Sequence, residues 1–377
     1  MKLVVTMMVR DESDIIGPVI ENHLAQGVDH LIVTDNGSVD GTFEILESFG
    51  DALDLRQDPV QRKQQHAVVT AMARDAFTRY GADWVVNADA DEFWVPRRSA
   101  STLKDSFSEI PKVLGSFTVP VVDMTGTPAL RGSGLQRLIY RDTRSVERLN
   151  EVGLFAHSTP DSVHIGRDDI EVSQGNHSVN ISSMGAVPSQ VQIEVLHLPW
   201  RSWEQFERKV ENAGKAYAAN PDLLPSPNHH GMREFKRWTL QTLQALYVIR
   251  HPFGAELLSG LAEGTLERDT RIADRFASPV ADQVFDECTL ALARQYGPTF
   301  ITLEQVEREK REATDMRNAE LLRYIDDGKQ RIDELLEDLR RATAREDEAR
   351  EWYEASLDRR VANIVQAVKG PFRRRGK

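Results

Sequence analysis

The chain contains a single cysteine, Cys288, so neither an intrachain disulfide nor a cysteine-based zinc site can form, and a reducing, cytoplasmic setting is the expectation. Long apolar runs are missing as well. No window approaches the about 20 consecutive apolar residues that cross a bilayer. The N-terminal run Leu3–Val9 meets Arg10 and Asp11 before any small-residue cleavage site, which reads as a strand rather than a signal peptide. Positive charge is in deficit: 47 Lys and Arg stand against 59 Asp and Glu, a net charge of −12 over 377 residues. Nucleic acid is therefore not an expected partner, because displacing counterions from phosphates needs a cationic surface. What remains is an ordinary globular composition, 40% hydrophobic and 28% charged, with length for two domains or one enlarged domain.

The first 95 residues alternate apolar runs with amphipathic stretches. Leu3–Val9 is followed by a helical face of Ile15, Ile16, Val19, Ile20 and Leu24, then by Leu31, Ile32 and Val33. A second helical stretch (Phe43, Ile45, Leu46, Phe49), a short strand at 53–55, a helix over 61–80 and the strand Trp84-Val85-Val86 complete three rounds. Strand and helix in alternation predict βαβ units around a parallel sheet, one half of an α/β, Rossmann-like, doubly wound mixed sheet. Ligands bind such sheets outside the carboxyl ends of the strands. Three polar clusters fall there: Arg10-Asp11-Glu12 after the first run, 34–42 after the second, and Asn87-Ala88-Asp89-Ala90-Asp91-Glu92 after the last.

Asp89 and Asp91 flank one small residue at the end of a buried strand, a costly arrangement unless a cation neutralises it. Oxygen ligands suit Mg²⁺ or Mn²⁺, which complete their shells with phosphate oxygens and water, so a phosphate-bearing ligand is implied. In the second cluster, Gly37 and Gly41 permit tight turns, and Asp40 or Thr42 caps the following helix. Asp35, directly at the strand end, is placed to accept hydrogen bonds from a base or ribose.

Met8-Val9-Arg10-Asp11-Glu12, the stretch 27–42, and Trp84-Val85-Val86-Asn87-Ala88-Asp89-Ala90-Asp91-Glu92-Phe93 together resemble the family 2 glycosyltransferases of the GT-A fold. The subgroup in question carries Arg-Asn-Glu near its start and Asp-x-Asp-Glu-Phe at its metal site. Asp11 stands where that subgroup has Asn. A weaker resemblance covers 197–209, similar to a His-x-x-x-Arg-Ser-x-x-x-Phe-x-x-Lys stretch. The resemblance implies a nucleotide-diphosphate sugar donor, with Glu12 and Asp35 near the nucleoside, Asp89 near the ribose or metal, and Asp91 on Mn²⁺ or Mg²⁺. His197 is a candidate metal ligand, and Arg201 and Lys209 are candidates for the diphosphate.

Transfer with inversion needs a group to take the acceptor's proton. Asp123 is the first candidate, with Asp169 and Glu171 behind it, and Gly175-Asn176-His177-Ser178 is a polar turn that could line the acceptor side. Arg237-Trp238 is similar to the end of the Gln-x-x-Arg-Trp motif of processive synthases, but Glu234 replaces the Gln, so transfer of one sugar to a glycan or lipid-linked acceptor is expected. The organisation implied is 1–95 for donor binding, 96–300 for acceptor binding and helical completion, and 301–377 as a charged helical extension. Leu322, Ile325, Ile332, Leu336 and Leu339 fit a heptad seam, which makes the 320–340 segment either a coiled coil joining copies of the chain or a solvated helix. Leu357, Val361, Ile364, Val365 and Val368, among Arg359, Arg360, Lys369, Arg373, Arg374, Arg375 and Lys377, suit either peripheral contact with the anionic inner membrane face or a solvated tail. Two other activities compete. A sugar-phosphate nucleotidyltransferase would use the same metal but begins with a glycine-rich loop, and 8–14 has no glycine. A non-catalytic coiled-coil scaffold would not need Asp89 and Asp91.

Overall fold

The computed structural model describes residues 1–60, 65–97, 101–218 and 230–369. The chain separates into two compact units, Met1–Thr302 and Leu303–Lys377. The first begins with β1 (Leu3–Val9), α1 (Ile16–Ala25), β2 (His30–Asp35), α2 (Thr42–Glu47), β3 (Leu53–Gln57), α3 (Gln65–Thr78) and β4 (Trp84–Ala88). It continues through β5 (Glu92–Pro96), α4 (Leu103–Ser108), β6 (Ser116–Val119), β7 (Val121–Thr125), β8 (Ala129–Arg131), β9 (Tyr140–Asp142), α5 (Val146–Glu151), β10 (Asp161–Ile165) and β11 (Ile193–His197). Helices α6 (Trp203–Ala218), α7 (His230–Thr239), α8 (Leu243–Arg250) and α9 (Ala255–Glu263) follow, then β12 (Leu266–Arg268), β13 (Gln283–Val284) and α10 (Glu287–Lys369).

The main sheet runs β3-β2-β1-β4-β10-β6. Its first four strands are parallel, as their apolar runs require, because both faces are covered. The two-residue period of a strand sorts the side chains. Val4, Ile32 and Val85 pack on Val69, Met72, Ala73 and Ala76 of α3. Leu3, Val5, Met7, Leu31, Val33, Trp84 and Val86 join Ile16, Val19 and Ile20 of α1 and Phe93 and Trp94 of β5 on the other face. The sheet is mixed, because β10 runs antiparallel to both β4 and β6.

A second sheet, β12-β9-β7-β11-β5, lies within the same unit. The run 115–122 reads as one strand in sequence but is two: the chain leaves the main sheet after β6 and enters the second as β7 at Pro120, which has no N–H to continue a ladder and whose carbonyl accepts from Val195. The stretch 233–250 likewise divides into α7 and α8. Gln241 takes a left-handed φ of 59° there, and the Thr242 N–H closes back on the Arg237 carbonyl, a helix-ending turn. Helix α10 starts at Glu287, well before the charged composition that announces it, and carries Pro298 inside it.

In the second unit the seam residues Leu322, Ile325, Ile332, Leu336 and Leu339 are all exposed, as are Leu357, Val361, Ile364 and Val365. The side chains of Val368 and Lys369, and residues Arg373, Arg374, Arg375 and Lys377, lie outside the described residues. Among the described residues no helix is long and apolar enough to cross a membrane.

Candidate functional site

The parallel strands β1, β2 and β4 end on one rim, and the polar residues after them are tied together there. The Glu12 N–H donates to Thr42 Oγ1 at 2.8 Å, the Asp11 N–H to Ser38 Oγ at 3.0 Å, and the Val39 N–H to Asp11 Oδ1 at 2.9 Å. Asp11 is held at a left-handed φ of 55°, a region that Asp tolerates better than most residues, which fits it to stand where the resembled motif has Asn. Asp35 accepts the Gly37 and Ser38 N–H groups on Oδ2, while Oδ1 is buried and has no hydrogen-bond partner.

Register in the second sheet decides what stands beside the acidic pair. β11 pairs with β5 so that His197 lies opposite Glu92, and with β7 so that His197 lies opposite Asp123. The His197 ring therefore sits between two carboxylates: Nδ1 donates to Asp123 Oδ1 at 2.9 Å and Nε2 faces Asp91 Oδ1 at 3.7 Å. Burial opposes a charge on the imidazole, yet Asp91 and Asp123 raise its pKa well above the usual value.

After β11 the chain turns into α6, and that turn places a fully buried guanidinium. Arg201 donates to Glu12 Oε2, to Asp14 Oδ2 at 2.7 Å and Oδ1 at 3.0 Å, and lies 3.6 Å from Asp91 Oδ2. One helical turn further, Gln205, Arg208, Lys209 and Asn212 form one face of α6, while Trp203, Phe206 and Val210 on the other face pack with Tyr247. Lys209 Nζ donates to Asp91 Oδ2 at 2.8 Å.

These elements enclose a cleft of about 350 Å³ lined by Glu12, Asp89, Asp91, Asn36, Arg208 and Lys209 among others. Its carboxylates differ in state. Although burial favours protonation of Asp91, Lys209 and His197 hold it well below the ordinary carboxylate range. Burial and then the charge of Asp91 push Asp89 upward. Burial raises Glu12 to about 7 in spite of Arg201 and Lys209. Behind the cleft, burial and neighbouring Asp161 raise Glu92 well above its usual value, and burial brings Asp161 to about 7. Glu92 Oε2 accepts the Asp89 N–H and the Trp94 indole N–H.

Glu12, Asp89, Asp91 and Lys209 thus line one cleft, His197 and Arg201 lie against it, and Asp35 stands behind Asn36. Asp123 is buried and is not among the residues that line the cleft. Its oxygens accept from the Ser158 N–H at 2.9 Å, Ser158 Oγ at 2.6 Å and His197 Nδ1, with His157 Nδ1 at 3.6 Å, and against burial His157 first, then His197 and Ser158, hold its pKa low. Asp169 and Glu171 are exposed and paired with Arg167 and Arg74, and neither lines the cleft among the described residues. Arg237 and Arg250 neutralise buried Glu234, and the Trp238 indole donates to Glu207, so this region builds the helical core.

Asp14, Gln65 and Asp161 carry no strand-end or motif signal in sequence. Gln65 and Asn176 donate to Asp89 Oδ1 at 3.2 and 3.0 Å, so the polar turn 175–178 meets the acidic pair.

Among the described residues no group of three or more His, Cys, Asp and Glu is assembled as a metal cluster. The donor set nonetheless fits a divalent cation. Asp91 offers a carboxylate oxygen, and His197 offers Nε2 while Nδ1 is anchored on a carboxylate, the arrangement that fixes the tautomer of a ligating histidine.

Residues 5–113 match the model of Glycosyltransferase family 92, which supports a glycosyltransferase. No curated protein matches the chain. Among solved structures, the chain is similar to Staphylococcus aureus TarS 1–349 (16% identity, 70% of this chain and 74% of that one, TM-score 0.33). It is similar to the same protein in complex with UDP-GlcNAc (15%, 70% and 76%, TM-score 0.33). A third is Mycobacterium tuberculosis glucosyl-3-phosphoglycerate synthase with Mn²⁺, UDP and glucosyl-3-phosphoglycerate (19%, 44% and 56%, TM-score 0.25).

Proposed function

We propose that this chain is a GT-A-type glycosyltransferase that moves one sugar, with inversion, from a nucleotide-diphosphate donor to a glycan or lipid-linked acceptor. The observation that carries this reading is the convergence of Glu12, Asp89, Asp91 and Lys209 on one cleft, with His197 aimed at Asp91. The likeness of the quoted motifs to family 2 supports the finer description, and the match to the family 92 model supports the coarser one.

In this reading the partnerless Asp35 Oδ1 and the Asn36 side of the cleft receive the nucleoside. Asp91 and His197 hold Mn²⁺ or Mg²⁺, and Asp89, fixed by Gln65 and Asn176, faces the ribose or the ion. The ion would supply positive charge at the leaving diphosphate. Lys209 and Arg208 stand beside the same position. Preorganised cations in a half-buried cleft favour the charge that grows on the leaving oxygen as the anomeric bond breaks. Arg201 is fully consumed by Glu12, Asp14 and Asp91. Its part is to keep those carboxylates in place, not to touch the diphosphate. Asp123 orients His197 and is not the proton acceptor. The cytoplasmic setting, the contact of 357–377 with a membrane face and the joining of copies through 320–340 belong to the same proposal, supported by sequence pattern alone.

The test is a thermal-shift series with UDP, GDP and other nucleoside diphosphates, each with and without Mn²⁺. At least one should stabilise the protein in a Mn²⁺-dependent way, by about 2.7 kcal/mol at one hundred times its Kd, and Asp91→Ala should abolish the shift. Absence of any such shift would sink the reading. A nucleotidyltransferase would instead respond best to a nucleoside triphosphate.

A further inference from the structure

A second cavity, of about 430 Å³, lies against the edge of the main sheet. Ser116, Phe117 and Thr118 of β6, Ser162 of β10, His177 and Ser183 are among its walls, and among the described residues its lining holds no Lys, Arg, Asp or Glu. Its volume is within the roughly 300–1,000 Å³ of small-molecule sites. The serine hydroxyls are already donors: Ser116 Oγ to the Ile181 carbonyl, Ser162 Oγ to the Asn176 carbonyl and Ser183 Oγ to the Gly185 carbonyl. Each keeps free lone pairs, so the cavity offers acceptors to a ligand rich in O–H donors. Phe117 adds an apolar surface, and among the described residues a phosphorylated or carboxylated ligand would find no Lys or Arg on the cavity wall.

The turn 175–177 joins this cavity to the donor cleft. Asn176 reaches Asp89 with its amide. The next residue, His177, directs Nδ1 to Asp161 Oδ1 at 3.1 Å and lines the second cavity. Gly175 admits the ring: at φ 80° it is in the glycine region, and a Cβ there would stand 3.1 Å from His177 Nε2. Asp161 is buried, and its Oδ2 has no hydrogen-bond donor in the structure. The antiparallel register Val163 to Val86 and His164 to Val85, continued along the strands, brings Asp161 level with Ala88 and so beside Asp89. The carboxylate that orients His177 therefore stands at the same rim as the acidic pair.

From this juxtaposition we infer that the second cavity is the acceptor subsite, that it takes an uncharged saccharide, and that His177 Nε2 is the base. The inference rests on the glycosyltransferase reading. The acceptor hydroxyl oxygen forms the new bond to the anomeric carbon, and the anomeric carbon–phosphate oxygen bond breaks with its electron pair on the nucleoside diphosphate. The hydroxyl proton passes to His177 Nε2, and the imidazolium so formed is paired with Asp161 until the proton leaves to solvent. Asp161 of β10 bonds that imidazole, and Asp89 at the β4 rim is the other carboxylate whose field reaches it.

The experiment uses the full chain with the nucleotide-sugar whose nucleoside diphosphate gives the Mn²⁺-dependent shift. Acceptors are methyl glycosides of common hexoses and their 6-phosphates, with nucleoside diphosphate release and glycoside product as readouts. Neutral glycosides should act as acceptors and phosphates should not. His177→Gln should lower kcat for transfer about 100-fold or more. Thr118→Trp, at an exposed cavity wall, should raise the acceptor KM about tenfold with little change in kcat. Both variants should keep the nucleotide shift, which shows that they are folded with an intact donor half. Transfer by His177→Gln within about threefold of wild type, an unchanged KM in Thr118→Trp, or preference for the phosphates would each overturn the assignment. Loss of the shift in the wild-type protein would instead overturn the donor reading and this inference with it.

Discussion

Replacing Arg201 by Met removes a charge while keeping most of the side-chain volume, so it isolates what the guanidinium does. Arg201 is fully buried and faces Glu12, Asp14 and Asp91. Deleting one member of a buried ion cluster strands the others, at a cost of about 3–5 kcal/mol. The first unit spans Met1–Thr302, and for a domain of that size each kcal/mol lowers Tm by about 2 °C, so a fall of about 6–10 °C is expected. The penalty also depends on pH. Glu12, raised to about 7 even with Arg201 present, rises further without it. A carboxyl whose folded pKa exceeds its unfolded pKa costs nothing below the unfolded value, increasingly more between the two, and a constant amount above the folded one. The Glu12 part of the deficit of Arg201→Met against wild type should therefore be absent near pH 5, where that carboxyl is neutral in both proteins, and should grow as pH rises above about 7, on top of the part owed to Asp14 and Asp91 that is present at both pH values. Urea unfolding monitored by tryptophan fluorescence at both pH values measures it. A deficit under about 1 kcal/mol, or one equal at the two pH values, would show that Arg201 contributes packing and not charge.

Two further outcomes follow from the same geometry. Asp123→Asn leaves His197 without its anionic anchor, so Mn²⁺ affinity in the presence of the stabilising nucleotide should fall about 10–100-fold, as read by isothermal titration; an unchanged affinity would detach Asp123 from the ligand shell. Glu12→Gln removes a carboxyl that folding holds at about 7 instead of 4.5, so the Tm of the variant minus that of wild type should become more positive as pH climbs from about 5 to 8, and a flat difference would refute the burial argument.

Strands β1, β2 and β4 and their polar ends are legible in sequence because a buried parallel strand shows an unbroken apolar run, whereas β3, with Asp54 between Leu53 and Leu55, is legible only from its place in the alternation of strand and helix. Asp89 and Asp91 are legible because two carboxylates at such an end demand a neutraliser. The role of Asp123 is not. Its place at a strand end is visible, but its partners are 35 and 74 residues away at Ser158 and His197, and only the parallel pairing of β7 with β11 brings them together. Asp161 is hidden for the same reason. It precedes a short run interrupted by His164, and its proximity to Asp89 depends on an antiparallel register that local patterning cannot encode. The break at Pro120 is readable as a proline, but the exchange of one sheet for another is a property of the whole fold.

The exposed course of α10 beyond Thr302 has a thermodynamic consequence. Nearly every described side chain from Leu303 to Gln366 faces solvent, so burial of an apolar face cannot supply its helicity in a lone chain. What remains is intrinsic propensity and close pairs such as Arg341 with Glu337 and Arg350 with Glu354, each contributing about 0.3–0.5 kcal/mol. Such a segment frays from its end and unwinds gradually on warming. Ellipticity at 222 nm from an isolated copy should slope long before the sharp transition of the Met1–Thr302 unit, while a calorimeter records only that later event; a steep, concentration-dependent early step would instead reveal copies of this helix holding one another.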